Sequence, residues 1–245
     1  MIQRAQSFEG QTAIVTGGGT GVGAALALAL ASTGATIHLV GRRLDKLQSV
    51  VDRIHGAGGQ AFCHVADLST NEGQVSVAQR IQLELPHLDI LIQNAAAYSS
   101  GNIAESDPTD LDKLYQTNVR APYFLTRALL PLLRVRRGQV VFINSSSGIA
   151  AKPSSAQYDA TKHALKAIAD SLRGEVNQLG IRVLSVFLGR TATEMQQRIH
   201  ALESRPYRPE LLLQPEDVAT VVINALALPH TAELTDVHIR PMIKS

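Results

Sequence analysis

The chain lacks the features that mark several large classes of protein. Its 245 residues include no tryptophan and one cysteine, Cys63, so an internal disulfide and a cysteine metal centre are both excluded. A chain of this kind suits a reducing compartment, and a cytoplasmic location is expected. The formal net charge of +2 is too small to predict a nucleic-acid partner.

Long hydrophobic runs are also missing. The longest apolar stretch, 22–31, is too short to cross a bilayer, and residues 1–4 do not begin the apolar core of a signal peptide. No membrane partner is therefore expected. Because 45% of the side chains are hydrophobic, the chain can bury a substantial core, and one domain over 1–245 is predicted.

Short apolar runs alternate with helix-length amphipathic segments throughout the chain. This pattern is typical of an α/β protein with a mainly parallel sheet and helices on both faces, the doubly wound Rossmann fold. Seven strands are predicted, at 12–16, 35–40, 60–65, 88–93, 139–144, 181–187 and 237–239. A long helix is predicted from Asp107 and Pro108 to about residue 133, with a kink near Pro122.

A glycine-rich turn, residues 16–23, follows the first predicted strand. Gly17, Gly21 and Gly23 lie where a helix begins, so backbone amides and the positive helix end can face a pyrophosphate. The missing side chains would allow close approach. Alternatively, these glycines serve the geometry of the turn and nothing else.

The second predicted strand ends in Gly41, Arg42 and Arg43, where an NAD site would have an acidic residue. Arginines there could bind a ribose 2′-phosphate, so NADP is predicted in preference to NAD. Alternatively, the two arginines face solvent at the start of a helix. Asp67, after the third strand, is predicted to accept a bond from the adenine amino group or to cap the next helix.

Tyr158 is followed four residues later by Lys162. Residues at this spacing share a helix face, so the ammonium can lie near the phenol and stabilise its anion. An ordinary phenol has a pKa near ~10, and a lower pKa would make it a usable proton donor. The alternative is a packed tyrosine beside a solvated lysine. Together with the glycine turn, the pair indicates redox chemistry on a nucleotide cofactor.

With these residues identified, the sequence resembles the short-chain dehydrogenase/reductase family over nearly its whole length. The family's T-G-x-x-x-G-x-G pattern falls on 16–23, its adenine-side aspartate on Asp67, its N-N-A-G on 93–96, its helix asparagine on Asn118, its serine on Ser145 and its Y-x-x-x-K on Tyr158 and Lys162. The resemblance implies hydride transfer between a nicotinamide cofactor and a ketone, aldehyde, hydroxy acid or secondary alcohol.

The resemblance also implies a catalytic role for each of four residues. Tyr158 would give a proton to the carbonyl oxygen, and Ser145 would orient that oxygen. Lys162 would hold the nicotinamide ribose and lower the pKa of Tyr158. Asn118 would anchor a water that relays protons, and no metal is implied.

Further residues are implied as cofactor contacts and as a substrate lid. The cofactor contacts are Thr16, Gly17, Gly19, Thr20, Gly21, Val22, Gly23, Arg42, Arg43, Asp67, Leu68, Asn94, Ala95, Tyr158, Lys162, Gly189, Thr191 and Thr193. Segment 190–213 lies where relatives carry a mobile lid. A homodimer or homotetramer is expected, because in relatives the helices around Asn118 and Tyr158 pair with those of a neighbouring subunit.

Three residues depart from the family's motifs. Gln93 and Ala96 replace an asparagine and a glycine, and Leu188 replaces the usual proline before Gly189. The changes at Gln93 and Ala96 leave the packing of the first loop open, and the lost proline at Leu188 predicts a looser second loop. They also leave open an alternative from another class, a non-catalytic NAD(P)-binding sensor with the same fold.

Overall fold

A seven-stranded sheet forms the centre of the protein in a computed structural model that describes residues 7–243. The strands are β1 (Thr12–Thr16), β2 (Thr36–Gly41), β3 (Gln60–Val65), β4 (Ile90–Gln93), β5 (Gln139–Ser145), β6 (Arg182–Leu188) and β7 (Asp236–Ile239). Their order in the sheet is β3-β2-β1-β4-β5-β6-β7, and every neighbouring pair is parallel. The predicted strands are confirmed, with boundaries that differ by two residues or fewer.

Helices cover both faces of the sheet, as the doubly wound prediction requires. They are α1 (Gly21–Ser32), α2 (Leu44–Gly56), α3 (Asn71–Glu84), α4 (Pro108–Tyr115), α5 (Ala121–Arg136), α6 (Ala156–Val176), α7 (Glu194–Leu202) and α8 (Pro215–Leu226). Apolar residues of α1, α2 and α8 form one core layer, and those of α3, α5 and α6 form the other. The described residues therefore make one domain around one sheet.

The central strand β1 shows why its sequence is apolar without alternation. Side chains along a strand point alternately to opposite faces, and both faces of this sheet are covered. Ala13 and Val15 pack into the layer with α1, whereas Ile14 packs into the layer with α3. All three are almost fully buried, so none of these three positions suits a polar side chain.

The predicted long helix after Asp107 is confirmed, because the chain is helical from Pro108 to Arg136, with an irregular turn just before Pro122. Asp107 does cap its start, because its side chain accepts a bond from the backbone N–H of Thr109 at 2.8 Å. A π-helical turn, Gln116–Arg120, then separates α4 from α5. Pro122 lies in the first turn of α5 and has no N–H to donate, so the regular bonding pattern changes just before it.

The strand order indicates where on the sheet a ligand would bind. The chain runs outward from β1 to β3 and then returns to β4 on the other side of β1, so two crossovers diverge between β1 and β4. Ligands of doubly wound proteins bind outside the carboxyl ends of the strands at such a switch point.

No helix among residues 7–243 is long and apolar enough to cross a membrane. Residues 1–4, considered above for a signal peptide, lie outside the described range.

Candidate active site at the carboxyl ends of the strands

The glycine turn after β1 is too tightly packed to carry side chains at two positions. Gly17 has a φ of +66°, and a Cβ there would lie 2.8 Å from the Asn94 side-chain nitrogen. A Cβ on Gly23 would lie 2.3 Å from the Gly17 carbonyl oxygen. The turn therefore requires glycine both for its backbone conformation and for its closeness to β4.

Thr16 and Asn94 join the ends of β1 and β4. The Thr16 hydroxyl oxygen accepts bonds from the backbone N–H groups of Asn94 at 2.9 Å and Ala95 at 3.0 Å, and it donates to the Ile92 carbonyl at 3.3 Å. The Asn94 side-chain amide donates to the Thr16 carbonyl at 2.9 Å. These predicted cofactor contacts therefore shape the turn through bonds within the protein.

The positions that depart from the family's motifs are well packed. The Gln93 side-chain amide is buried and donates to the Pro122 carbonyl at 3.3 Å and to the Thr126 hydroxyl at 3.2 Å. After β6, the Gly189 backbone N–H donates to the Ile239 carbonyl at 2.7 Å. Gln93 therefore anchors the end of β4 to α5, and Gly189 is held to the end of β7, while the looser loop predicted from Leu188 stays a prediction.

Arg42 and Arg43 follow β2 with exposed side chains. The Arg43 guanidinium forms an ion pair at 3.2 Å with Glu194, the first residue of α7. Both partners are about half exposed, so solvent weakens this attraction. Of the two arginines, Arg42 acts on Asp67, since its charge helps to lower the pKa of that carboxyl.

Asp67 lies beyond β3 and accepts two bonds from Ser69, one from its backbone N–H at 2.9 Å and one from its hydroxyl at 2.7 Å. Partial burial acts to raise the pKa of Asp67, but the Ser69 bonds and Arg42 outweigh it and the pKa is lowered. The neighbouring helix α3 is capped by Thr70, which accepts from the Gly73 N–H at 3.1 Å. The alternative that Asp67 caps this helix was therefore wrong.

The segment after β6 lies against the glycine turn. The Thr193 hydroxyl accepts from the Gln196 N–H at 3.2 Å and so caps α7, and it donates to the Thr191 carbonyl at 3.3 Å. A Cβ on Gly21 would lie 2.9 Å from the Thr193 methyl carbon. A cleft of about 420 Å³ lies between this segment, the glycine turn and α2.

Tyr158 and Lys162 share one face of α6 as predicted. The Lys162 ammonium lies 5.7 Å from the centre of the Tyr158 ring and donates to the Ile143 carbonyl at 3.3 Å. Only 2% of Lys162 is exposed, and burial lowers the pKa of its amine to about 8. His163, the next residue, is exposed, and its Nδ1 lies 2.9 Å from the Asp159 carbonyl oxygen.

The pKa of the Tyr158 phenol is determined mainly by burial. Burial raises it well above its ordinary value, and hydrogen bonding with the Ser145 side chain offsets only part of that rise. The expectation that Lys162, beside a bound nicotinamide, lowers this pKa stays a prediction. The ammonium is directed to a backbone carbonyl, and burial disfavours the phenolate more than the lysine stabilises it.

Ser145 ends β5 and lies beside the start of the tyrosine helix. Its hydroxyl accepts from the Ser147 N–H at 3.1 Å, and its own N–H donates to the Asn144 side chain at 2.8 Å. Asn144 in turn donates to the Lys162 carbonyl at 3.1 Å. These bonds fix β5 against α6, so Ser145 and Tyr158 keep their relative position.

Asn118 lies in the π-helical turn, and its side chain is fully buried. Its amide donates to the Ala97 carbonyl at 2.9 Å and to the Thr161 hydroxyl at 3.0 Å, and its oxygen accepts from the Ala97 N–H at 2.7 Å. Both amide hydrogens are therefore used within the protein. The side chain fixes the loop after β4 to α6, beside the lysine.

Tyr98 is a neighbour of the site that the motifs did not reveal. Its ring meets the Tyr158 ring edge to face, with centroids 4.9 Å apart. Burial raises the pKa of Tyr98 as well. An aromatic residue four positions after Asn94, in a chain with 4% aromatic residues, was the available signal.

Comparison with known proteins agrees with this geometry. The sequence profile of the short chain dehydrogenases matches residues 11–204. The chain belongs to this family. A short chain dehydrogenase of Pseudocercospora fijiensis is 34% identical to it over 208 residues, which are 83% of this chain and 67% of the relative. This short-chain dehydrogenase is therefore an NAD(P)-dependent oxidoreductase.

Solved structures of similar sequence share the whole fold of the dehydrogenase. A metagenomic short-chain oxidoreductase in complex with NADP superposes with a TM-score of 0.83 at 30% identity, covering 98% of this chain and 100% of the other. A candidate short chain dehydrogenase of Shigella flexneri complexed with NADP gives 0.87 at 29% identity, covering 96% and 98%. The residues described above fit a nicotinamide dinucleotide, because Gly17 and Gly23 leave no side chain at the start of α1.

The buried Lys162 amine predicts a pH dependence of stability. Its pKa falls from 10.5 in the unfolded chain to about 8 in the folded protein, so between these values the unfolded chain binds more protons. Stability should therefore rise with pH in this window, by roughly 1–2 kcal/mol between about pH 8 and about pH 9.5. Tyr158 stays protonated in both states there. Urea unfolding at each pH measures the effect.

A matched pair of variants isolates that lysine. Lys162→Met should lose the rise, whereas Lys166→Met, one turn later on α6, should keep it. An equal slope in wild type and Lys162→Met would show that the amine is not responsible.

Proposed function

We propose that this dehydrogenase reduces carbonyl compounds with NADPH and oxidises the corresponding secondary alcohols in reverse. The observation that carries the proposal is the fixed arrangement of Ser145, Tyr158 and Lys162 at the carboxyl end of the sheet, the end at which the glycine turn also lies. A bound reduced nicotinamide supplies the hydride. The residues of the chain bind and orient the two reactants and supply the proton.

Tyr158 is the proposed proton donor to the carbonyl oxygen. A raised pKa keeps the phenol protonated near neutral pH, which is the form needed for reduction. Alcohol oxidation needs the phenolate and is favoured at higher pH. The Ser145 hydroxyl, which interacts with the phenol, would donate a second hydrogen bond to the same carbonyl oxygen.

Lys162 is proposed to bind the hydroxyls of the nicotinamide ribose. With a pKa of about 8 it is mostly cationic at neutral pH, and its three N–H groups exceed the single protein acceptor that it contacts. Asn118 is proposed as a positioning residue. Since its amide hydrogens are already used, a proton-relay water would have to bind its backbone or its remaining oxygen lone pair.

NADP is proposed as the preferred cofactor. Arg42 is exposed at the end of β2, and its charge already acts on Asp67 at the end of β3. A 2′-phosphate would bind the planar guanidinium through charge-assisted bonds. Both solved structures named above contain NADP, which supports the same choice.

Segment 190–213 is proposed as the substrate lid. Arg190 forms an ion pair with Glu203 at 2.7 Å and contacts the buried His200 ring at 3.4 Å. These contacts fold the segment onto itself, while at its beginning Thr193 lies against Gly21 and Glu194 pairs with Arg43. Closure over the substrate would exclude water from the hydride transfer.

Replacing Tyr158 with phenylalanine tests the catalytic assignment. The variant should lose about 10²–10⁴-fold in kcat for NADPH-dependent reduction, because the proton donor is removed. NADPH binding, measured by fluorescence titration, should change little. The control Tyr123→Phe alters an exposed tyrosine and should keep wild-type turnover. The panel of substrates should contain aldehydes, ketones and hydroxy acids.

The same experiment distinguishes the proposed enzyme from the alternative, a non-catalytic cofactor sensor. Turnover that depends on Tyr158 excludes a pure cofactor sensor. Nucleotide binding without turnover of any substrate in the panel would instead favour the sensor. Equal turnover in wild type and Tyr158→Phe would remove the proton-donor role.

Replacing Arg42 with alanine tests the cofactor preference. The dissociation constant for NADPH should rise roughly 10–100-fold, because one or two charge-assisted bonds to the 2′-phosphate are lost. The constant for NADH should change little. Arg43→Ala is the matched control, since this neighbour is already paired with Glu194. Tighter binding of NADH than NADPH by the wild type would contradict the assignment.

A homodimer or homotetramer is proposed in solution. Leu111, Tyr115 and Tyr123, on α4 and α5, are 40%, 51% and 55% exposed, which gives these helices an apolar surface. Light scattering after gel filtration should give a multiple of the chain mass. The double variant Tyr115→Glu with Tyr123→Glu should shift the protein towards monomer. A monomeric wild type at micromolar concentration would refute the proposal.

A further inference from the structure

Two buried histidines and a glutamate come together at the β3 edge of the sheet, on the face that α3 covers. His38 lies in β2, His64 in β3, and Glu84 is the last residue of α3. His38 is 5% exposed and His64 1% exposed. The nearest donor atom of each residue lies within 4.8 Å of the other two. None of these residues belongs to the hydride-transfer site.

The register of the sheet explains this convergence. His38 is opposite Phe62, and His64 is opposite Val40, so the two imidazoles lie on the same face at neighbouring positions. Their rings are stacked with centroids 5.2 Å apart, and His38 Nδ1 lies 2.9 Å from His64 Nε2. His64 Nε2 lies 3.9 Å from a Glu84 carboxylate oxygen.

We propose that His38, His64 and Glu84 bind one divalent transition-metal ion of the zinc class. Two imidazole nitrogens and one carboxylate oxygen are a ligand set that Zn²⁺ accepts, with a water completing four-coordination. Cobalt and nickel ions suit the same donors, whereas Mg²⁺ and Ca²⁺ prefer oxygen ligands. The site therefore selects for imidazole-binding metals.

The donor separations are close to those that such an ion needs. Bonds of about 2.0–2.2 Å at angles between square and tetrahedral place two donors roughly 3–3.5 Å apart. The histidine nitrogens, at 2.9 Å, are already near this separation without any movement of the strands. The Glu84 carboxylate has to move inward by about 1 Å. It can do so because its side chain is 40% exposed at a helix end.

Arg80 orients the carboxylate for this role. Its guanidinium Nε donates to Oε1 of Glu84 at 2.7 Å, so that Oε2 is the oxygen that faces His64. Groups that hold a ligand from outside in this way are a regular part of metal sites. On the other side, His64 Nδ1 has no hydrogen-bond partner among residues 7–243. The His64 ring therefore lacks an outer hydrogen bond that would fix its orientation, so a dissociation constant for the metal in the micromolar rather than the nanomolar range is expected.

The rival interpretation is a hydrogen-bonded imidazole pair with no ligand. It accounts for the distance between His38 and His64, but it gives no role to the Glu84 oxygen that faces them. Buried polar side chains on an otherwise apolar sheet face are costly.

A bound ion would link the edge strand to the helix above it. β3 has one strand neighbour, and its Phe62 side chain is 51% exposed, so this edge has less packing than the centre of the sheet. Because the three ligands come from β2, β3 and α3, an ion would cross-link all of them. Binding to the folded chain alone raises its stability by mass action.

Metal titration of the full-length chain, without a histidine tag and after chelator treatment, tests the proposal. One equivalent of Co²⁺ should give the visible absorption of a four-coordinate site, and Zn²⁺ should displace it. Calorimetry with Zn²⁺ should give the same stoichiometry, and Zn²⁺ should raise the thermal midpoint. Glu84→Gln should weaken binding about tenfold or more, and His64→Gln should abolish it.

Two controls distinguish this site from casual surface binding. Glu72→Gln removes a carboxylate at the other end of α3, and His230→Gln removes an exposed histidine; both should bind the metals like wild type. Should His64→Gln fail to fold, the exposed Glu84 variant decides the outcome alone. Absence of one-to-one binding, or equal affinity in Glu84→Gln and wild type, would overturn the proposal.

Discussion

The hydrogen bonds between Thr16 and Asn94 hold together the two strand ends on which the active site is built. One hydroxyl accepts from two consecutive backbone N–H groups after β4, and the Asn94 amide returns a bond to the end of β1. With β1 and β4 fixed in this way, Gly17 and Gly23 are left no room for side chains. The conformation of the glycine turn and the course of the loop that leads to Tyr98 both follow from this contact.

Burial then determines the chemistry of the groups beyond that turn. It raises the pKa of Tyr158 and lowers that of Lys162, so each group resists its charged form. The protein positions these side chains by backbone bonds, such as that from Lys162 to Ile143 and that from Asn144 to the lysine carbonyl. Tyr158 and Lys162 are therefore held in place by hydrogen bonds and packing and not by an ion pair between them.

Burial also changes the pKa of polar groups at the β3 edge of the sheet. His38 and His64 lie on a covered face of the sheet, where burial lowers the pKa of both imidazoles. Like Tyr158 and Lys162 on α6, the two histidines lie on regular secondary structure, here two neighbouring strands, which brings polar groups together inside the protein. At the sheet edge, this arrangement presents neutral imidazoles to a carboxylate on the next helix.

Local patterns in the sequence determined the strands, the two-sided sheet, the glycine turn and the spacing of Tyr158 and Lys162. Each depends on neighbours within a few residues, through side-chain alternation, helix periodicity or the absence of a Cβ. The tertiary structure alone decided the direction of the pKa shifts, the π-helical turn at Asn118 and the anchors of Gln93. It also brought His64 and Glu84 to His38. These features depend on burial and on contacts between residues far apart in the chain, which no local pattern records.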